Sequence, residues 1–332
     1  MLALDRPAFE ALADEFDAAV RGTPEIDHFC SSSAWAFSAD RTLMPPRTLF
    51  ARRSDAGWVA LARVDYSGGR QTVEPLEAAW CLSCPLAYVG DPRRLAAELV
   101  AELAEGAPSA VVFLGGLVQT SSLFGMLVSE LAPRYRFATR VVPPTRRFRA
   151  SLAGGVDGFL SRRSSTFRAG LRDAVRKATA GGVAFEEVTV RDEGDVATLF
   201  ARLLAIETRS WKGLAGDGLT IPSMRAFYAE MLPRLGRAGA IRAHVGTRAG
   251  EDVAIIVGGV TDTPEGLVYR GLQFSFDDAY RSLSLGNLAQ LAQITALAEE
   301  AVAIYDLGSE VDYKRRWGEQ CFETVTLVAA PK

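Results

Sequence analysis

The chain has 332 residues, 48% of them hydrophobic and 23% charged, a globular balance that excludes a disordered or fibrous protein. At a net charge of −3 it is no nucleic-acid polycation as a whole, so any basic site must be local. No apolar run reaches the ~20 residues of a bilayer span, and Met1-Leu2-Ala3-Leu4-Asp5-Arg6 turns acidic where a signal peptide runs basic and then apolar, so a cytoplasmic protein with no membrane span is expected.

At roughly 150 residues per domain the length predicts two domains. In the first half the pattern predicts a helix over 6–20, strands over 48–53 and 58–64 joined by Asp55-Ala56-Gly57, and a further strand over 75–84. A helix over 91–104, a buried strand over 110–117, a helix over 120–131 and strands over 135–142 and 146–152 follow. Cys81 and Cys84 have metal or redox spacing. No second Cys/His pair stands beside them, and His28 and His244 are the chain's only histidines, so buried thiols are expected and no metal.

The second half alternates over 183–190 like a half-buried strand. A helix over 192–211 carries Val196, Leu199, Phe200, Leu203 and Ile206 at three-to-four spacing, and a glycine-rich loop over 213–218 follows. Pro222 opens a second helix with Phe227, Met231 and Leu235 on its apolar face. Strands over 240–248, 253–261 and 266–274 come next, turned by Ala249-Gly250 and Thr263-Pro264-Glu265-Gly266. A helix over 287–300, a buried strand over 302–307, a short helix and a strand over 322–329 close the chain. This order resembles the GNAT acyltransferase fold, and the first half repeats it faintly. The fold class expected is therefore α/β: two tandem GNAT-like domains, each a mixed, mostly antiparallel twisted sheet flanked by helices, with the seam at Gly154-Gly155 and domains over 1–153 and 154–332.

Several residues invite chemistry. The apolar strand ending in Asp306-Leu307-Gly308-Ser309-Glu310 empties into Tyr313-Lys314-Arg315-Arg316-Trp317-Gly318, and in open α/β sheets ligands gather beyond the carboxyl ends of strands. The plainer alternative is a surface turn with a Lys–Glu pair, and Trp317 is read as packing. Glu207, Arg209 and Trp211 end a helix just before the glycine loop and either border a substrate or form a solvated terminus. His244, mid-strand, is a base or a structural histidine. Arg162, Arg163, Arg168, Arg172, Arg176 and Lys177 are the basic concentration; Arg168, Arg172 and Arg176 share one helix face, with Phe167, Leu171, Ala174 and Val175 toward the core. Such a face suits a tRNA stem, an acidic carrier protein or a coenzyme A phosphate, or is simply solvated.

Phe159-Leu160-Ser161-Arg162-Arg163-Ser164-Ser165-Thr166-Phe167-Arg168, Arg281-Ser282-Leu283-Ser284-Leu285-Gly286 and the Tyr313-to-Gly318 run together resemble the CelD-like, FemAB-type branch of the GNAT superfamily, over about residues 155–320. Members of that branch move an acyl or aminoacyl group from a thioester or a charged tRNA to an amine. The resemblance implies a donor site in the second domain and an acceptor cleft shaped by the first. It implies that backbone N–H groups at a helix start grip a pyrophosphate around Arg281, Ser282, Ser284, Leu285, Gly286 and Asn287, with Ser284 in place of the pattern's first glycine; Ser284 also reads as a plain N-cap. Tyr269 and Arg270 fall on the strand that splays to admit the donor. The resemblance places Lys314 against the reacting groups. Tyr313 is then the acid for the thiolate, Asp306 or Glu310 receives the amine proton, and Glu207, Arg209, Trp211 and His244 border the acceptor. The reaction expected is N-acyl transfer from acyl-CoA or an acyl carrier protein to a primary amine of a small molecule or peptide, by direct attack in a ternary complex, with no metal. The alternatives are a Fem-type aminoacyl-tRNA-dependent ligase and a non-catalytic scaffold.

Overall fold

The computed structural model describes residues 1–138 and 141–332, in two units: Met1–Arg146 with Glu323–Lys332, and Arg147–Phe322. Thr139 and Arg140, within the strand expected over 135–142, lie outside the described residues.

The first stretch of chain forms β1 (Leu2–Leu4), α1 (Arg6–Ala11), α2 (Ala13–Gly22), α3 (His28–Ser31), α4 (Ser33–Thr42), β2 (Thr48–Ser54), β3 (Gly57–Asp65), β4 (Gln71–Pro75), β5 (Leu86–Tyr88), α5 (Pro92–Gly106), β6 (Val111–Leu117), α6 (Ser122–Leu131) and β7 (Tyr135–Ala138). The single helix expected over 6–20 is two, broken at Leu12 (φ −102°, ψ 16°), so that Phe9 and Phe16 both turn onto Trp58. The strand expected over 75–84 is instead a loop gathered around Glu77. Its fully buried carboxylate accepts the N–H groups of Trp80 (2.6 Å), Leu82 (2.8 Å) and Ser83 (3.2 Å). Buried Leu82 and Cys84 imitate a strand in the sequence, but a buried acceptor with this many donors bends the chain round itself.

The rest of the chain forms β8 (Thr145–Ser151), α7 (Gly155–Ser161), α8 (Ser165–Ala180), β9 (Val183–Glu187), α9 (Glu193–Arg209), α10 (Trp211–Leu214), α11 (Pro222–Arg237), β10 (Ile241–Arg248), β11 (Glu251–Thr263), β12 (Gly266–Phe276), α12 (Leu285–Glu299), β13 (Ile304–Ser309) and β14 (Gln320–Pro331).

Both sheets follow one plan. In the first unit the order is β1-β2-β3-β4-β6-β14, with β5 on β3 and β7 on β14; in the second it is β8-β13-β12-β11-β10-β9. Each is antiparallel apart from one parallel pair, β4/β6 across α5 and β12/β13 across α12. Parallel neighbours need a crossover of that length, and a helix supplies it. The strand beyond each parallel pair arrives from elsewhere in the chain: β14 pairs with β6 in the first unit, and β8 with β13 in the second. Hence residues 323–332, read from sequence as the close of the second half, complete the first unit's sheet. Alternation marks a strand but does not say which sheet receives it.

The second unit's core gathers Phe159, Leu171, Ile294, Leu297, Tyr305 and Trp317. Trp317 packs between Phe159 and the edge of Phe167, as its sequence context predicts. The basic concentration is largely consumed by the fold. Arg163 donates to the Trp317 carbonyl (2.6 Å) and pairs with Glu319 (2.9 Å). Arg162 donates to the Ser151 carbonyl (2.6 Å) and Arg168 to that of Arg163 (2.7 Å). Arg176 and Lys177 both pair with Asp173, and Val175, expected in the core, is 40% exposed. Among the described residues no helix is long and apolar enough to cross a membrane.

Candidate active site

β12 and β13 begin as parallel neighbours, pairing Val268 with Ile304, Tyr269 with Tyr305 and Arg270 with Asp306. There the pairing stops. β12 continues along β11 to Phe276, while β13 stays with β8. Between the parting strands lies a cavity of about 260 Å³. Gly271–Phe276 of β12, Leu307, Val311, Tyr313 and Lys314 line it, Trp211 and Lys212 enter from α10, and Gln290 enters from α12.

The closed end of the fork is an aromatic stack. Tyr269 and Tyr305 lie face to face, centroids 4.9 Å apart and planes at 14°. The Tyr305 hydroxyl donates to Gln290 Oε1. Tyr269 pairs with Val260 on β11, and its ring fits because it lies over Gly258, where a Cβ would stand 2.2 Å from the phenol ring. Among the described residues the buried Tyr269 hydroxyl has no hydrogen-bond partner.

One wall is the 3-10 turn Asp312–Arg316 that follows β13. Lys314 Nζ donates to the Ser309 carbonyl (2.9 Å). Burial and the nearby Arg270 and Lys212 cations pull its pKa down to about 8, against the pull of Asp306. Tyr313 meets the Phe274 ring edge-on at 5.6 Å, and burial pushes its hydroxyl well above the usual tyrosine value.

The opposite wall is the corner between α9 and α10. Glu207 is 1% exposed; its carboxylate accepts from Gln273 Nε2 (2.8 Å), Leu219 N (3.3 Å) and Ser275 Oγ. Lys212 Nζ stands 3.3 Å from Glu207 Oε2 and donates to the Phe274 carbonyl (2.9 Å). Burial holds Lys212 below the usual lysine pKa, with Glu207 opposing. Gly218, at φ +66°, admits the Glu207 oxygen where a Cβ would come within 2.2 Å. The glycine loop therefore does steric work for this carboxylate.

Of the residues singled out from sequence, Tyr313, Lys314, Glu207 and Trp211 come together around this cavity or its first supporting shell. Asp306 does not face it. Its carboxylate accepts from Arg149 Nε (3.1 Å) and the Gly308 N–H (2.7 Å) and pairs with Arg270 (3.3 Å), so it is committed to holding the strand end rather than poised to take a proton. Glu310 pairs with Arg315. Arg209 is tied to Asp277 (2.8 Å) and the Asp252 carbonyl (2.6 Å). His244 is buried against Gln293 (3.1 Å), in a separate cleft beside α8 and α12. Tyr269 is core and Arg270 is the partner of Asp306.

The segment expected to grip a pyrophosphate lies at the start of α12. Ser284 is the N-cap in a left-handed conformation (φ 55°), and its side chain makes no capping bond. Arg281 pairs with Asp278 (2.7 Å), Ser282 and Asn287 are exposed, and Leu285 is fully buried. Gly286 abuts the Phe274 ring, where a Cβ would come within 3.0 Å. Lys212, Gln273, Ser275 and Gln290 were not signalled; the position of Lys212 between Trp211 and the glycine loop is the one cue that pointed at it. Among the described residues no cluster of three or more His, Cys, Asp or Glu could hold a metal.

Residues 165–315 match the model of the acetyltransferase (GNAT) domain family. No curated protein matches the chain. Solved structures match it end to end in fold. FemX does so at 12% identity and a TM-score of 0.65, over 98% of this chain and 97% of its own. A conserved protein of unknown function from Bacteroides thetaiotaomicron VPI-5482 gives 12% and 0.64, over 97% of each chain. L-PGS from Bacillus licheniformis gives 12% and 0.59, over 98% and 91%. Residues 165–315 thus form a GNAT acetyltransferase domain, in a chain whose fold FemX shares end to end. The protein is an acyltransferase.

Proposed function

We propose that the protein transfers an acyl group from an acyl thioester, carried by coenzyme A or an acyl carrier protein, to a primary amine of a small molecule or peptide. Attack is direct, within a ternary complex, and the setting is the cytoplasm, where such thioesters are made. The observation that carries this reading is the parting of β12 from β13 over a cavity flanked by two lysines of lowered pKa.

A strand edge freed of its partner offers backbone N–H groups to an extended donor arm and to the acyl carbonyl. The amine nitrogen adds to the acyl carbon, the carbonyl oxygen gains negative charge, and the C–S bond then breaks to release a thiolate. Lys314, charged below about pH 8, supplies the cation that both developing anions need. Tyr313 keeps its proton at neutral pH because burial raises its pKa; it gives that proton to the departing thiolate and is restored by the proton that the attacking nitrogen loses as the amide forms. Lys212, held by Glu207 and the Phe274 carbonyl, keeps the opposite wall rigid. The arginines near α8 favour a thioester over a tRNA donor, since most are spent on carbonyls and carboxylates of the same unit.

Thermal melting with coenzyme A and acyl-CoA esters tests the reading. A ligand at ~100 times its dissociation constant adds about 2.7 kcal/mol and raises the midpoint by a few degrees. No shift with any ester, together with salt-sensitive binding of aminoacyl-tRNA, would overturn it.

A further inference from the structure

We propose that the cavity between β12 and β13 is an acyl-chain site that selects a chain of roughly six to ten carbons over an acetyl group; this rests on the thioester reading above. Size is the first ground. A dry apolar cavity of about 150 Å³ takes up benzene, with its six carbons. The cavity here measures about 260 Å³. The donor arm takes the freed strand edge, and beyond it an acetyl group brings only a methyl against the remaining walls; unfilled apolar walls forfeit their dispersion contacts.

The walls are the second ground. Ile256, Leu272, Phe274, Phe276, Tyr305 and Leu307 supply the surface. Three of the polar groups there already have partners. Gln290 Oε1 accepts from Tyr305, the Phe274 carbonyl from Lys212, and the Leu272 carbonyl from Tyr228 (2.9 Å). A hydrocarbon guest leaves these three bonds intact.

The rim is the third. Two lining residues, Trp211 and Val311, are 50% and 49% exposed, and Leu214, on the same short helix as Trp211, is 70% exposed. Large apolar side chains left in water beside an apolar cavity mark a surface that a ligand covers.

The test is a chain-length series measured by calorimetry and thermal melting. Acetyl, butyryl, hexanoyl, octanoyl, decanoyl and palmitoyl groups are compared as coenzyme A esters and as N-acetylcysteamine thioesters, which carry no nucleotide. The dissociation constant is expected to fall by up to about fourfold per added methylene as far as octanoyl or decanoyl, and no further at palmitoyl. Leu272→Trp, which fills the cavity, should move the optimum to shorter chains, and Phe276→Ala should move it to longer ones; a merely structural role predicts neither shift. Equal binding of acetyl and octanoyl esters overturns the chain site and leaves the thioester reading standing. A rising N-acetylcysteamine series with no binding of coenzyme A esters upholds the chain site and removes coenzyme A as carrier. No binding in either series overturns both.

Discussion

Replacing Lys314 by alanine separates a catalytic cation from a structural one. The ammonium donates to the Ser309 carbonyl at 2.9 Å, and burial together with Arg270 brings its pKa to about 8. About nine in ten molecules then carry the charge at pH 7, and half at pH 8. If that charge holds the oxyanion and the thiolate, its loss should lower kcat by about 10²–10³, or about 3–4 kcal/mol of barrier. The fold should suffer little. The bond to Ser309 contributes on the order of 1 kcal/mol, and its loss is offset by removing a half-desolvated cation beside Arg270. Linkage fixes the sign. The unfolded lysine titrates near 10.5 and the folded one near 8, so the unfolded chain binds more protons between those values and this site's contribution to stability rises with pH there. Below about pH 8 both states are protonated and the folded state bears the whole penalty. The assay is thiol release from an acyl thioester between about pH 6 and 10, with melting curves alongside. The wild-type rate should decline on the alkaline side near pH 8, and that limb should vanish in the variant. A Lys314→Ala enzyme within a few-fold of wild type, with the alkaline limb intact, would refute the assignment.

Gly258→Ala should destabilise the second unit by about 1–3 kcal/mol, seen in urea unfolding, because its Cβ would stand 2.2 Å from the Tyr269 ring. Tyr269→Phe should raise stability by about 1 kcal/mol, since it removes a buried hydroxyl without a partner; a loss of stability would reveal a partner for that oxygen. Glu207→Gln keeps the shape but leaves Lys212 a buried cation beside a neutral amide. The expected outcome is a loss of about 1–3 kcal/mol in melting and weaker donor binding in calorimetry.

Order and spacing made the fork legible. An apolar run over 302–307 followed by Tyr313 and Lys314 reads as a strand emptying into a site, and the three-strand meander before it supplies the other prong. Partners far along the chain were not legible. Asp306 read as a base because nothing near it in sequence shows that Arg149 and Arg270 on neighbouring strands will claim it. Lys212 was not signalled, because the carbonyl that it bonds belongs to Phe274, far along the chain. Periodicity put Arg168 on a polar face correctly, yet it says nothing of whether a guanidinium reaches solvent or curls back onto a carbonyl. His244 fell on a strand whose alternation aims it at Gln293 on α12, not at the fork.

The two lysines of the cavity differ in a way that assigns their work. Lys212 has its own carboxylate at 3.3 Å and serves as half of an ion pair. Lys314, among the described residues, has only the Ser309 carbonyl as a hydrogen-bond partner, while the carboxylate that raises its pKa, Asp306, is shared by Arg149 and Arg270. Arg149 has a second carboxylate in Glu265 (3.7 Å), so Arg270 is the guanidinium whose charge is felt at Lys314, and low-dielectric walls focus it on the fork. Keeping an incompletely neutralised cation there costs stability, and such strain persists where the chemistry uses it. The alkaline limb of the rate profile should report that field directly. Arg270→Gln removes a cation that depresses Lys314, so the limb should move up from about pH 8; Asp306→Asn removes the opposing charge, so it should move down. A merely structural Arg270–Asp306 pair would lower activity in both variants and leave the limb where it was.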